Sequence, residues 1–400
     1  MDEAYRFDMI DDEIHDINHE STGDRYYNFR SNFVLVYGLA MAAEWLQASY
    51  LYGCLRNTHK LSEPAVAYLF ATGFVSAGIA ALFVGSITDQ YGRKFMCKSY
   101  CIIYSLSCVA MILGTVPLLF VGRVMGGVCT TLLYSSFETW MTAEYHRQGF
   151  GQRDTALSTI QSIMAIANGL VAVGSGIVAQ AAVNMSGSHS APFLLSIGCL
   201  SMALMIISRS WAENFGLRGK SSASDGTWKA SVTFILRDPS MVILTLTMCF
   251  FEGSVYMMLY SWPQAIMSAR AQARIWGNPQ FGLNFANFTG AMALGSFLYS
   301  YMSRDGNPSQ VSSRTVQLAS SIAASALLLA IIFQDEMGRF WAICLFQLCA
   351  GMYYPSMTFL KDRLVQEERR ARVYGLMKVP LNVFTVFCLT TEMRAARTGS

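Results

Sequence analysis

Eleven stretches of about 20 residues, each almost free of charge, run through this chain, and they leave few folds open to it. They lie at 32–54, 64–88, 96–115, 117–141, 155–182 and 190–208, then at 239–263, 280–302, 315–333, 338–360 and 373–391. A segment of that length and polarity crosses hydrocarbon, and it crosses as a helix, because only a helix or a closed barrel satisfies every backbone group where water is missing. The composition agrees: 53% of residues are hydrophobic and 14% charged, against roughly 25% charged in a soluble chain. A water-soluble globule is excluded. The expected fold class is an all-α membrane protein, with six spans in a first lobe (32–208), a polar, basic, Ser/Gly-bearing linker (209–238) and five spans in a second lobe (239–391).

Orientation follows from the bases. If the N-terminus is cytosolic, the connections on its side hold twenty Lys and Arg, among them Arg93, Lys94, Arg147, Arg209, Arg237, Lys361 and Arg363, while the opposite ones hold only Arg56, Lys60, Arg270, Arg274 and Arg339. Loops rich in Lys and Arg stay inside, so a cytosolic N-terminus is expected. Residues 1–31 form an acidic tail with nine acids and three bases, which the rule largely ignores, and 392–400 form a polar one. The Asn184-Met185-Ser186 sequon then falls outside, where Asn184 is a glycosylation candidate. The ten cysteines are scattered through apolar runs without a CxxC pair, and the five histidines all sit in polar segments. Neither set suggests a metal, so no metal site and no cofactor are expected. No segment combines nucleophile, base and orienting group, and no phosphate loop is present, so an enzyme is not expected. Nucleic acid is not an expected partner either.

The most specific local pattern is Gly85-Ser-Ile-Thr-Asp89-Gln-Tyr-Gly92-Arg93-Lys94, between the second and third spans. Gly85 suits a close helix approach, Gly92 a backbone angle closed to other residues, and Arg93 and Lys94 an anchor on the inner side. A second pattern, Gly122-Arg123-Val-Met-Gly126-Gly127, places a guanidinium inside the fourth span. A charge there costs about 2.5–3.5 kcal/mol unless it faces a cavity or a partner. Gly127, Thr130 and Tyr134 fall on the face of Arg123. Each lobe opens with one acid at similar depth, Glu44 and Glu252. Glu44 shares a helical face with Tyr37 and Gln47, and Glu252 with Tyr256. Each acid either lines a pathway or bonds to a neighbouring helix. Lys378 either meets an anion or reaches back to the inner surface. Glu138 and Glu144 lie near the inner end of the fourth span and are expected to reach water there.

The GxxxDxxGRK spacing is that of the signature loop of the major facilitator superfamily, and Arg123 with Gly127 resembles the RxxxG pattern of its fourth helix. Glu44-Trp-Leu-Gln-Ala-Ser-Tyr-Leu-Tyr52, Ser136-Phe-Glu138-Thr-Trp140, Trp211-Ala-Glu213-Asn214, Gly351 to Leu360 and Val379-Pro-Leu381 narrow the resemblance to the eukaryotic molybdate-anion transporter family. The resemblance implies a two-lobed bundle and alternating-access uptake of molybdate, a tetrahedral oxyanion, across the cell membrane. It implies that Asp89, with Gly85, Gly92, Arg93 and Lys94, forms a conformational latch against the eleventh helix. The expected substrate-binding set is Arg123, Glu44, Gln47, Tyr37, Thr130, Glu252, Tyr256 and Lys378. The partners are an oxyanion, the lipid bilayer and, if the carboxylates carry it, a co-transported proton. The alternatives are a porter for another small solute and a non-transporting membrane receptor or scaffold. The family carries twelve spans, so a gene model one helix short is expected here.

Overall fold

The computed structural model describes residues 2–150, 154–215, 228–304, 307–365 and 370–398. Among these every regular element is a helix. In the first lobe they are α1 (Asp2–Ala48), α2 (Leu51–Gly53), α3 (Glu63–Tyr91), α4 (Arg93–Leu113), α5 (Val116–Arg147), α6 (Asp154–Ser186) and α7 (Ala191–Ser210). A short α8 (Trp228–Arg237) follows, then α9 (Pro239–Gln272), α10 (Phe281–Met302), α11 (Pro308–Ile332), α12 (Glu336–Leu364) and α13 (Arg370–Thr398).

Local sequence explains most of the ends. Asp238-Pro239-Ser240 and Asn307-Pro308-Ser309 each place a side-chain acceptor just before a proline, and Asp238 and Asn307 cap α9 and α11 by accepting from Ser240 N (2.8 Å) and Ser309 N (3.2 Å). Asp335 caps α12 by accepting from Gly338 N at 2.6 Å. Gly114 ends α4 in the left-handed region, at φ 74°. Two boundaries differ from expectation. The acidic segment and the first span form one helix from Asp2 to Ala48, and the far end of that span breaks into α2 and a π-turn over Cys54–Thr58. The linker contains α8, which packs on α9 and α13.

Nine of the helices are long and apolar enough to cross a membrane by length and composition. The segments 32–54 and 280–302 are absent from that set: Glu44 and Gln47 dilute the first, and Asn284 and Asn287 the second. Both are nevertheless helical and packed within the bundle.

The helices form two cores, one mainly of α1–α7 but joined by Tyr260 and Leu389, and one mainly of α9–α13 but joined by Leu46, Tyr50, Ala179 and Val183. Their packing repeats: α5 lies on α3 and α4 as α12 lies on α10 and α11, and α1 packs on α6 as α9 packs on α13. Across the lobes, α3 meets α13 and α6 meets α10. The repeat departs at α7, which fills the space between α1 and α4. The corresponding place between α9 and α11 is an apolar crevice of about 410 Å³ lined by Phe250, Phe251, Val316, Ala323, Leu327 and Phe346 among others.

Candidate functional site

We call the side bearing the α3–α4 and α12–α13 junctions the basic face, and the other the far face. On the basic face, Gly92 adopts φ 101°, open to glycine alone at low cost. Arg93 donates to Asp89 at 2.8 Å. The segment after α7 closes over this turn: the Glu213 carboxylate accepts from Lys94 N (2.8 Å) and Phe95 N (3.1 Å), and Asn214 O accepts from Arg93 N (2.9 Å). Three donors at the start of α4 are thereby satisfied by one anion and one carbonyl. The Lys94 ammonium donates to Trp211 O at 2.6 Å, and Trp211 stacks on Trp140 with ring centroids 3.6 Å apart. Thus Ser136 to Trp140 and Trp211 to Asn214, distant in sequence, join the signature loop in one assembly. One expectation fails: a Cβ on Gly85 would meet nothing within 4 Å, so Gly85 serves no close helix approach here. Asp89 meets Arg93 among the described residues, while the side chains that open α13 lie outside them.

On the far face the lobes are joined. Glu63 accepts from Tyr52 OH (2.8 Å), pairs with Arg56 (3.0 Å) and accepts across the lobe boundary from Gln264 Nε2 (3.2 Å). Gln180 Oε1 accepts from Tyr50 OH (2.8 Å) and, across the boundary, from Gly282 N (3.1 Å). Asn57 donates to Asn278 at 3.4 Å. Phe74 stacks on Tyr256 with centroids 4.9 Å apart, and Phe70 meets Tyr260 edge-on at 5.3 Å. These cross-lobe hydrogen bonds all lie on this side. Asn184 is exposed at the far end of α6 and accepts from Gln180 Nε2 at 2.9 Å.

Between the two faces each lobe contributes charges. In the first, the Glu44 carboxylate on α1 accepts from Tyr104 OH on α4 and from Thr130 Oγ1 on α5 (3.2 Å). Arg123 is electrostatically coupled to Glu44 without reaching ion-pair distance; its Nε donates to Leu69 O (3.1 Å) and its guanidinium lies 5.4 Å from the Phe70 ring centroid. Tyr134, one turn beyond Thr130 on α5, is 49% exposed.

In the second lobe Glu252 is 8% exposed and forms no ion pair among the described residues. The charges acting on it are Lys361 on α12 and Lys378 on α13. Tyr256 and Tyr354 complete the lining towards Tyr134.

The structure therefore gathers Glu44, Arg123 and Thr130 in the first lobe and places Glu252 and Lys378 on the packed helices α9 and α13, with Tyr256 one turn from Glu252, whereas Tyr37 is buried and stacks on Phe33 with centroids 5.9 Å apart. It does not bring in Gln47, which is buried and donates back to Ala43 O of its own helix at 3.1 Å. Glu138 reaches solvent as expected, but Glu144 does not: it is 3% exposed and held by Arg147 (2.7 Å) and Gln148 (2.7 Å). Sequence reasoning missed Tyr104, whose Tyr100-to-Tyr104 spacing was a usable sign of a polar helix face, and Lys361, which read as a loop anchor.

Two six-and-five lobes of helices, crossed by matched charges and sealed on one side, define a membrane transporter of the major facilitator superfamily. Over residues 13–337 the chain matches, and belongs to, the superfamily's family described as sugar transporters with twelve transmembrane segments. It is 28% identical over 365 residues to the molybdate-anion transporter of Xenopus tropicalis, covering 90% of this chain and 77% of that protein. With the molybdate-anion transporter of Takifugu rubripes the identity is 26%, covering 90% and 78%. Among solved structures, a variant of the nucleoside transporter NupG superposes with a TM-score of 0.69 at 11% identity, covering 90% of this chain and 89% of that one. A bacterial homologue of the human lysosomal transporter Spinster, in an inward-facing and unoccupied conformation, gives 0.69 at 14%, covering 90% and 80%. At such identities these likenesses establish the fold alone.

Proposed function

We propose that the protein carries molybdate, or an oxyanion of the same shape and charge, across a cell membrane by rocking its two lobes about the charged lining between them. The names of its relatives suggest the substrate. The observation that carries the reading is a cation with hydroxyl-bearing neighbours on each lobe: half-buried Arg123 with Thr130 and Tyr134 on α5, and solvent-open Lys378 on α13, which packs on α9 where Tyr256 lies. Ammonium and guanidinium groups supply charged hydrogen bonds to oxyanion oxygens, and the tyrosines supply neutral ones.

The excess of Lys and Arg on the basic face supports a cytosolic N-terminus. With that orientation the far-face bonds lie outside and hold the lobes together there. Glu44 and Glu252 are the carboxylates available to carry a coupled proton, since no histidine lies in the lining. In this reading Asp89 and its neighbours latch the basic face when the lobes rock closed there, and Asn184 is available outside for glycosylation.

Expression in a molybdate-starved, uptake-deficient cell, with molybdenum counted by mass spectrometry, tests the substrate. A surface-localised full chain should raise cellular molybdenum several-fold, Arg123→Ala should lose at least tenfold of that gain, and Arg93→Ala should change it less. No gain from the wild-type chain would overturn the proposal.

A further inference from the structure

Lys361 belongs by sequence to a run of bases at the inner end of a span. In the structure it lies within α12, half-buried, with its ammonium 5.3 Å from the Tyr374 ring centroid on α13, and its charge acts on Glu252 and Lys378. Tyr374 lies one turn before Lys378 on α13, so Lys361 approaches α13 on the face that carries Lys378, and α9, which carries Glu252, packs on both α12 and α13. None of the three charges pairs with another: neither ammonium is within the 4.0 Å of an ion pair with Glu252. The first lobe is built otherwise, since there the Glu44 carboxylate takes two hydroxyl donors and the Arg123 Nε is spent on a backbone carbonyl.

Unpaired charge inside a membrane protein is costly, and it survives where it faces water or a ligand. Two ammonium groups near each other repel, and one carboxylate at a distance answers only part of that charge. A doubly charged tetrahedral anion between them converts the repulsion into two attractions and has oxygens for both. Position along the helices adds direction. Counted from the basic-face ends of α9, α13 and α12, Glu252, Lys378 and Lys361 lie about 20, 12 and 5 Å deep at 1.5 Å per residue. Lys378 is open to solvent. Asp362, the other acid acting on Lys361 among the described residues, accepts from Tyr374 OH at 2.6 Å.

We infer that Lys378 and Lys361 form a two-step anion-binding site for a small oxyanion dianion on the basic-face half of the second lobe, with Glu252 as the resident carboxylate that answers them when the site is empty. The inference rests on the oxyanion reading above and narrows it. The anion sits first at Lys378, close to Glu252, and passes to Lys361 on its way to the basic face. Glu252 competes with it for both lysines.

Equilibrium dialysis of the purified full chain in lipid nanodiscs tests this, with molybdate and tungstate each counted by mass spectrometry and a thermal midpoint measured for every variant. Wild type should bind saturably. Lys361→Ala and Lys378→Ala should each weaken binding at least tenfold, Lys378→Arg should recover part of the loss, and Glu252→Gln should tighten binding several-fold by removing the competitor. Lysine variants that keep the wild-type midpoint and bind as tightly as wild type would overturn the site while leaving the oxyanion reading standing; so would a Glu252→Gln variant that binds more weakly. Absence of saturable binding by the wild-type chain would overturn the oxyanion reading, and the site with it.

Discussion

Glu213 shows how one side chain couples distant parts of this molecule. Its carboxylate covers two orphan N–H groups at the start of α4, where the helix dipole also favours an anion, and it can reach them only because Gly92 turns the chain at φ 101°. A Cβ on Gly92 would press on the Glu213 side chain. Gly92→Ala is therefore expected to destabilise twice over, through about 1–2 kcal/mol of backbone strain and through displacement of the cap. Glu213→Ala should lose only the cap, about 1 kcal/mol. Thermal unfolding of the detergent-purified variants checks the order: Gly92→Ala should melt below Glu213→Ala, and both below wild type. Equal midpoints for Gly92→Ala and wild type would show that the turn is not held by this carboxylate.

At the level of helices, small residues decide how closely the lobes meet. Gly176 on α6 and Gly282 on α10 face each other so tightly that a Cβ on either would press on the backbone of the other. Such crossings suit membrane helices, where close backbone packing replaces the hydrophobic effect as the attraction. Gly174, two residues earlier, has nothing within 4 Å of its would-be Cβ and serves as the control. Gly176→Val should force the far face apart, whereas Gly174→Val should leave it closed. Labelling of a cysteine placed at Gln180 by a membrane-impermeant maleimide reports the difference. Faster labelling is expected with Gly176→Val alone, and identical rates in the two backgrounds would refute this role.

For the whole molecule, transport by rocking requires the far-face bonds to break in each cycle. Asn57 and Asn278 face each other across the lobes, 3.4 Å apart between side-chain atoms. Cysteines at both positions should form a disulfide under mild oxidation, lock the far face shut and abolish uptake, and a reductant should restore it. Uptake that persists with the cross-link formed would exclude rocking at this boundary.

The apolar spans, the Lys and Arg bias and the glycine of the signature loop were legible in the sequence, because each depends on neighbours within a few residues or on the solvent a segment must face. The resemblance to the superfamily rested on the signature loop and the pattern around Arg123. The lining was legible only in part. Glu44, Arg123, Glu252 and Lys378 stood out as charges in apolar runs, yet Gln47 shares the face of Glu44 on paper and turns back on its own helix in space. Tyr104 and Lys361 stood out less: one offered only its spacing from Tyr100 among many aromatics, the other is a base among bases. Which polar groups meet is set by how helices far apart in the chain cross, since a contact between α1 and α4, or among α9, α12 and α13, has no period in the sequence. Local chemistry thus determined that this chain forms membrane helices and roughly where each begins. Packing between the helices alone decided that Glu44 is satisfied by its neighbours while Glu252 and two lysines are left to answer one another.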